Sequence, residues 1–192
     1  ASDVYKRQML EPTDKWLCEI VEPKHPALHR TADIDPFTAP EDVNWAQREV
    51  DMFDLMRYRH GIGLASPQIG NSYNMFVMNL QGSGDVGVYN PKILEYSEAT
   101  VSMEEGCLTF PLLYFNVTRP EKVKVSYTLY DGVTQIEDWL EGIDARCFQH
   151  ELEHLQGKLF LEHASELKLQ RAIKKRDKYF KEIERTKQEN VL

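Results

Sequence analysis

The chain has 192 residues, 42% of them apolar and 28% charged, proportions that suit one globular domain with a sizeable core. No apolar run approaches the roughly 18 to 20 residues of a membrane span, and three cysteines are too few and too odd in number for a disulfide framework. The cysteine usage predicts a reducing, cytoplasmic setting, and a formal charge of −8 argues against a general nucleic-acid binder, so neither a membrane nor free nucleic acid is expected as partner.

In chain order, ASDVYKRQ carries no pattern, and Asp3, Lys6, Arg7, Glu11, Asp14 and Lys15 leave no apolar core for a secretory signal. Residues 1–16 are therefore expected to be an extension without fixed structure, and residues 17–192 a single domain. An apolar strand signal at 16–21 precedes a Pro-punctuated loop. Residues 41–60 read as a helix, since Val43, Ala46, Val50, Phe53, Leu55 and Met56 recur at three-to-four spacing, with Pro40 as start signal and Gly61 as stop. NMFVMNL (74–80) and VGVYNPKIL (86–94) predict strands around a Gly-containing turn. ATVSMEEGCLTFP and KVKVSYTLY (122–130) predict more, the second alternating cleanly. DARCFQHELEHLQG predicts a helix ending at Gly157. A final helix over about 165–188 turns Leu169, Ile173, Phe180 and Ile183 to one side. Strands in the middle with helices at either end make an antiparallel α+β domain.

FQHELEHLQGKLF, residues 148–160, carries the first chemical signal. Helical spacing puts His150 and His154 on one face, one turn apart, within reach of one metal ion, with Glu151 beside it as a base. Two half-buried or surface histidines would give the same short pattern by chance, so the third ligand decides. The metzincin continuation would need a histidine at 160, where Phe160 cannot ligate. His163 stands nine residues past His154, at no ligand spacing. A glutamate of the final helix stays open, although those glutamates sit among lysines as a solvated face does. Cys147 is seven residues from His154, roughly 10 Å along a helix, beyond what ligands of one ion can share; it is better read as a wall residue. Cys18 lies in an apolar run, where a buried free thiol is the default. Cys107 follows Glu104, Glu105 and Gly106, and the glycine lets the backbone approach closely. Cys-His-His with an open fourth position is a catalytic rather than a structural pattern.

GIGLASPQIG (61–70), EEGCLTFP (104–111) and QHELEHLQGKLF (149–160) together resemble the three motifs of the peptide deformylases, in the same order and at comparable distances. EIVEPKHPALHRTADID, VYNPKI and RPEKVKV are similar to that family as well, so the resemblance runs from about residue 17 to about 170. It implies a metal-dependent hydrolase that removes the N-formyl group from the formyl-methionine of nascent polypeptides and releases formate. The implied fold is α+β, with antiparallel sheets packed around a central metal-binding helix and a C-terminal helix. The implied ligands are Cys107, His150 and His154, around one divalent ion: Fe(II) in the family, with Ni, Co or Zn as alternatives. Glu151 would take a proton from water and pass it to the departing amine. The Gln68 side chain and the Leu108 backbone N–H would stabilise the oxyanion; without the family, Gln68 reads as a polar residue in a turn. Gly63 would lie beside the substrate backbone, and Ile62, Met103, Cys147 and the stem of Arg146 would line the methionine slot, with Glu105 and Gly106 completing the wall.

Three positions depart from the family's pattern: Ser66 for a usual Ala, Thr109 for a common Ser, and Glu153 for a usual Asp. None is a ligand or the base. From Ala164 to Leu192 the chain carries nine Lys or Arg against five Asp or Glu, so the remainder holds −12. The resemblance implies that this basic helix contacts the ribosome, where an amphipathic helix with a solvated face is the plain alternative. A peptidase cutting internal bonds, and a metal- or nascent-chain-binding protein without turnover, are the competing functional readings.

Overall fold

The structure, a computed structural model, describes residues 18–38 and 43–189. Its frame is a five-stranded antiparallel sheet in the order β1-β2-β3-β6-β7, formed by β1 (Gly63–Ala65), β2 (Met75–Leu80), β3 (Gly84–Tyr96), β6 (Lys122–Thr128) and β7 (Gln135–Glu141). A separate hairpin pairs β4 (Thr100–Cys107) with β5 (Phe110–Pro120). The helices are α1 (Trp45–Tyr58), α2 (Gly142–Leu155) and α3 (Glu166–Glu189).

In β2, Met75 to Met78 are all buried, because successive side chains point to opposite faces and both faces are covered. Phe76 and Met78 share a core with Ala145, Cys147 and Phe148 of α2. Met75 and Val77 share another with Met52, Leu55 and Met56 of α1. The Phe76 and Phe148 rings meet edge to face, with centroids 5.1 Å apart. Burying each such large side chain contributes about 1.5–3 kcal/mol, so this face holds α2 firmly. The alternation of β6 behaves as its sequence predicts: Val123, Val125 and Tyr127 enter the α2 core. The hairpin closes the opposite side of α2. Its Leu113, Phe115 and Val117 pack with Phe160 and with Ala172 of α3, and Lys168 Nζ donates to the Asn116 carbonyl at 2.6 Å. α2 thus lies between two sheets.

Several expectations change. Residues 18–21 form no strand; they run extended, with the Val21 N–H donating to the Gln68 carbonyl at 2.8 Å. Trp16 and Leu17 of that expected strand, and the expected extension over residues 1–16, lie outside the described residues. α1 begins at Trp45 rather than at the expected start, capped by Asn44, whose side chain accepts from Gln47 N–H at 3.1 Å. Pro40 lies outside the described residues, as does the side chain of Ile183. The helix ends at Tyr58, and His60 turns the chain with φ 57° ahead of Gly61. β7 was not expected: QIEDWLE is largely exposed, an edge strand with too few apolar residues to signal itself.

Candidate active site

A helix between two sheets has little exposed surface, yet α2 carries Arg146, Gln149, His150, Glu151 and His154, all buried. Buried polar groups need partners, and Arg146, Gln149 and His150 find theirs largely in the hairpin. Gln149 Nε2 donates to the carbonyls of Pro120 at 3.1 Å and Ala145 at 2.9 Å. Arg146 donates to the carbonyls of Val117 and Val101 and to the Glu105 carboxylate. The far end of α2 is locked by the N-terminal loop. Ala32 N–H donates to the Leu155 carbonyl at 2.7 Å, and Gly157, at φ 72°, lies so close to Arg30 that a Cβ would stand 2.8 Å from its backbone.

Cys107, at the end of β4, reaches α2 through this packing. Cys107, His150 and His154 each offer a ligand atom, all within 4.8 Å of one another, and all three residues are buried. Cys107 Sγ stands 3.2 Å from His154 Nε2. A carboxylate can only accept, so His150 Nδ1–H donates to Glu105 Oε2 at 3.2 Å and Nε2 is the nitrogen left for an ion. Burial alone would lower the ring's affinity for a proton, but hydrogen bonds with Cys107 and Glu105 raise it well above the ordinary value, so an ion must displace a proton there. Burial lowers the affinity of His154 for a proton well below the ordinary value, which keeps its imidazole in the neutral, ligating form. The Cys147 thiol is pushed well up by burial and by the Glu151 charge, so it stays protonated; its Sγ donates to the Ile62 carbonyl at 3.3 Å. One thiolate and two imidazoles in a buried cluster fit one divalent ion.

Glu151 is 4% exposed, and its Oε2 has no hydrogen-bond partner among the described residues. Burial pushes its carboxyl up to about 7, against the downward pull of His150 and Arg119. Gly63 leaves room for it: a Cβ there would meet Glu151 Oε1 at 2.4 Å. Gln68 has one orientation available. Its Oε1 accepts from Ala65 N–H at 2.8 Å, so Nε2 faces Thr109 Oγ1 at 3.2 Å and Cys107 Sγ at 3.5 Å.

These groups open into a cavity of about 220 Å³. Of the residues expected at the site, Ile62, Gly63, Gln68, Glu105, Gly106, Cys107, Leu108, Arg146, Cys147, His150 and Glu151 line it. Met103 and His154 do not: Met103 is half-buried on β4, and His154 lies deeper, at 1% exposure, behind Cys107 and His150; Tyr114 and Ile143 occupy the wall in addition. Tyr114 packs against Gly106, where a Cβ would meet its ring at 2.4 Å. Glu105 borders the cavity but commits its carboxylate to Arg119, Arg146 and His150: burial alone would raise its pKa, but hydrogen bonds from His150 and Arg119 bring it to about 2. Arg119, at the end of β5 and 3% exposed, was missed by the sequence reading. It binds Glu105 through Nε and Nη2 at 2.7 and 3.0 Å, and Glu153 through Nη1 and Nη2 at 2.9 Å each.

Comparison with known proteins gives matches over most of the chain. Residues 17–170 match the family model described as polypeptide deformylase. The peptide deformylase of Phenylobacterium zucineum is 41% identical over 167 residues, which cover 85% of this chain and 96% of that protein. Among solved structures, a peptide deformylase from Legionella pneumophila superposes with a TM-score of 0.75 at 34% identity, covering 88% of this chain and 98% of that one. One from Synechococcus elongatus, in complex with actinonin, gives 0.75 at 31% identity, covering 87% and 90%.

Proposed function

This chain belongs to the polypeptide deformylase family, and on that premise we propose that Cys107, His150 and His154 hold its metal ion while Glu151 moves the proton of the reaction. The enzyme is a metal-dependent hydrolase that takes the N-formyl group from the formyl-methionine of nascent polypeptides and releases formate. The observation that carries the residue assignment is the convergence of three buried ligand atoms beside an unpartnered, buried carboxylate. When bound, the ion supplies Lewis-acid chemistry, acidifying water and polarising the formyl carbonyl.

The remaining steps belong to the chain's own side chains. Glu151, held near neutrality by burial, accepts a proton as water attacks the formyl carbon. It then returns that proton to the departing amine nitrogen; the C–N bond breaks, formate leaves and a free N-terminus remains. Gln68 Nε2, fixed by the Ala65 N–H on its other end, and the Leu108 backbone N–H are the donors to the developing oxyanion. Losing one donor of this kind costs about 3–4 kcal/mol of transition-state stabilisation. Ile62, Gly63, Gly106, Cys147 and the Arg146 stem form the methionine wall in this reading; residues 17–192 act as one catalytic unit.

Fe(II) is the ion we assign in the cell, since a thiolate with two imidazoles suits Fe, Ni, Co or Zn and supply selects among them. No helix among the described residues is long and apolar enough to cross a membrane. We place the enzyme in the cytoplasm, with α3 touching the ribosome through its exposed Lys174, Lys175 and Lys178. The testing experiment measures formate release from a short formyl-Met peptide, using anaerobically purified protein loaded with Fe(II) or Ni(II), beside Glu151→Gln. Turnover in the parent and its loss in the variant is the expected result. A metal-loaded parent that releases no formate would refute the residue assignment.

A further inference from the structure

An ionic chain leaves the site on the side away from the substrate cavity and ends at His163. His150 Nδ1 donates to Glu105; Arg119 grips Glu105 on one side and Glu153 on another. His163 Nε2 then donates to both oxygens of Glu153, at 2.9 and 3.0 Å. Resting on the ligand assignment above, we propose that His163 is a positioning residue for the metal ligand His150, acting through Glu153, Arg119 and Glu105.

The inner links are rigid. Arg119 uses four of its five N–H groups in two paired contacts, so its plane cannot turn without breaking both. That plane, together with Arg146 Nη1 on Oε1, sets the Glu105 carboxylate, whose Oε2 sets the His150 ring. Glu153 is the loose link. Its side chain is 21% exposed, and it borders a second cavity of about 220 Å³, shared with Arg119, Gln149, Gln156, Lys158 and His163, into which it could swing. His163 closes that route by holding both carboxylate oxygens from outside.

The clamp itself is well anchored. It ends the 3-10 turn Phe160–His163, whose first residue is buried and stacks on Phe115 with ring centroids 4.7 Å apart. Glu162 Oε1 caps the same turn by accepting from Leu159 N–H at 2.9 Å. An ordinary exposed ion pair contributes little; this one matters because of what stands behind it. A glutamate at 153 has the length to meet Arg119 and His163 together, whereas a shorter carboxylate drawn toward Arg119 would leave the imidazole behind.

The test loads the full chain with Co(II), whose absorption reports the thiolate and the coordination geometry, and follows release to a chelator. It compares the parent with His163→Phe and with His163→Gln, which keeps a donor. Direct outer-sphere partners typically change metal affinity 10- to 100-fold, so a residue three links out is expected to speed release about 3- to 10-fold in His163→Phe, with the Gln variant within about twofold of the parent. The Co(II) spectrum should shift in the Phe variant while the melting temperature of the metal-free protein stays the same, a split that a merely structural role would not produce. Parent-like release from His163→Phe would overturn the proposal, and so would equal acceleration in the Gln variant. A parent that binds no Co(II) would instead overturn the ligand assignment, and this inference with it.

Discussion

Adding one methyl group at Gly63 brings a carbon to 2.4 Å from Glu151 Oε1 and 2.7 Å from Cys147 Sγ, where ordinary contact begins at 3.4 Å. The backbone has little room to retreat, because Gly63 is paired with Met78 in the sheet. Cys147 cannot yield easily either, being part of the core that holds α2. The Glu151 carboxylate must therefore move by about 1 Å, and a reacting group misplaced by that distance loses on the order of 100-fold in rate. That is about 2.7 kcal/mol of barrier. The assay is formate release under single-turnover and steady-state conditions, with metal content and melting temperature measured on the same preparation. Gly63→Ala is expected to keep its metal and its fold while kcat falls about 100-fold. If the methyl group instead met the substrate, KM would rise with kcat retained. A kcat within about threefold of the parent would refute the claim that Gly63 exists to make room for Glu151.

Three further outcomes are expected. Glu105 has a pKa of about 2 in the folded protein against an ordinary 4.5, so the unfolded chain takes up the proton first as pH falls. Its stabilisation, on the order of 3 kcal/mol, is full above about pH 4.5 and lost toward pH 2. Urea midpoints of the metal-free protein should fall over that window, and Glu105→Gln should flatten the slope; an unchanged slope would show that Glu105 is not held ionised. Activity of the Fe(II) enzyme should fade in air, since an iron–thiolate site is oxidisable; equal turnover with and without oxygen would point to zinc. Reversing Lys174, Lys175 and Lys178 to Glu should abolish co-sedimentation with ribosomes in low salt, and unchanged co-sedimentation would dispose of the contact.

How far the sequence could be read depends on how local each signal is. The pairing of His150 with His154 follows from helical spacing alone, and the alternation of Val123, Val125 and Tyr127 likewise foretold a half-buried strand. Cys107 emerged because Cys147 was too far along the same helix and Cys18 lay in an apolar run. Arg119 was invisible: nothing in RPEKVKV distinguishes a guanidinium buried between two carboxylates from one on the surface. The partners of Glu105 were hidden for the same reason, since they come from β5 and α2. The apolar run at 16–21 has the composition of a strand, yet the described part finds no continuous ladder and packs as extended chain. Asn44, directly before the observed start of α1 at Trp45 but inside the periodic run that begins at Val43, was a cap that the proline nearby obscured. His163 sat at no ligand spacing because its partner, Glu153, is a ligand's neighbour.

The ligand set is drawn from two stretches of unequal age. Cys107 closes the hairpin, whereas His150 and His154 belong to α2, so during translation at roughly 5–20 residues per second the thiol precedes the second imidazole by roughly 2 to 9 seconds. Throughout that interval neither α2 nor the Phe160 turn exists to cover it. The ligand set is complete only once His154 is made and its apolar cover only once Phe160 is, and the early loop around Arg30 cannot dock before Gly157 is made. The catalyst that trims newborn chains is therefore assembled late in its own synthesis, with the thiol of its ligand set made first and the imidazoles that join it made last.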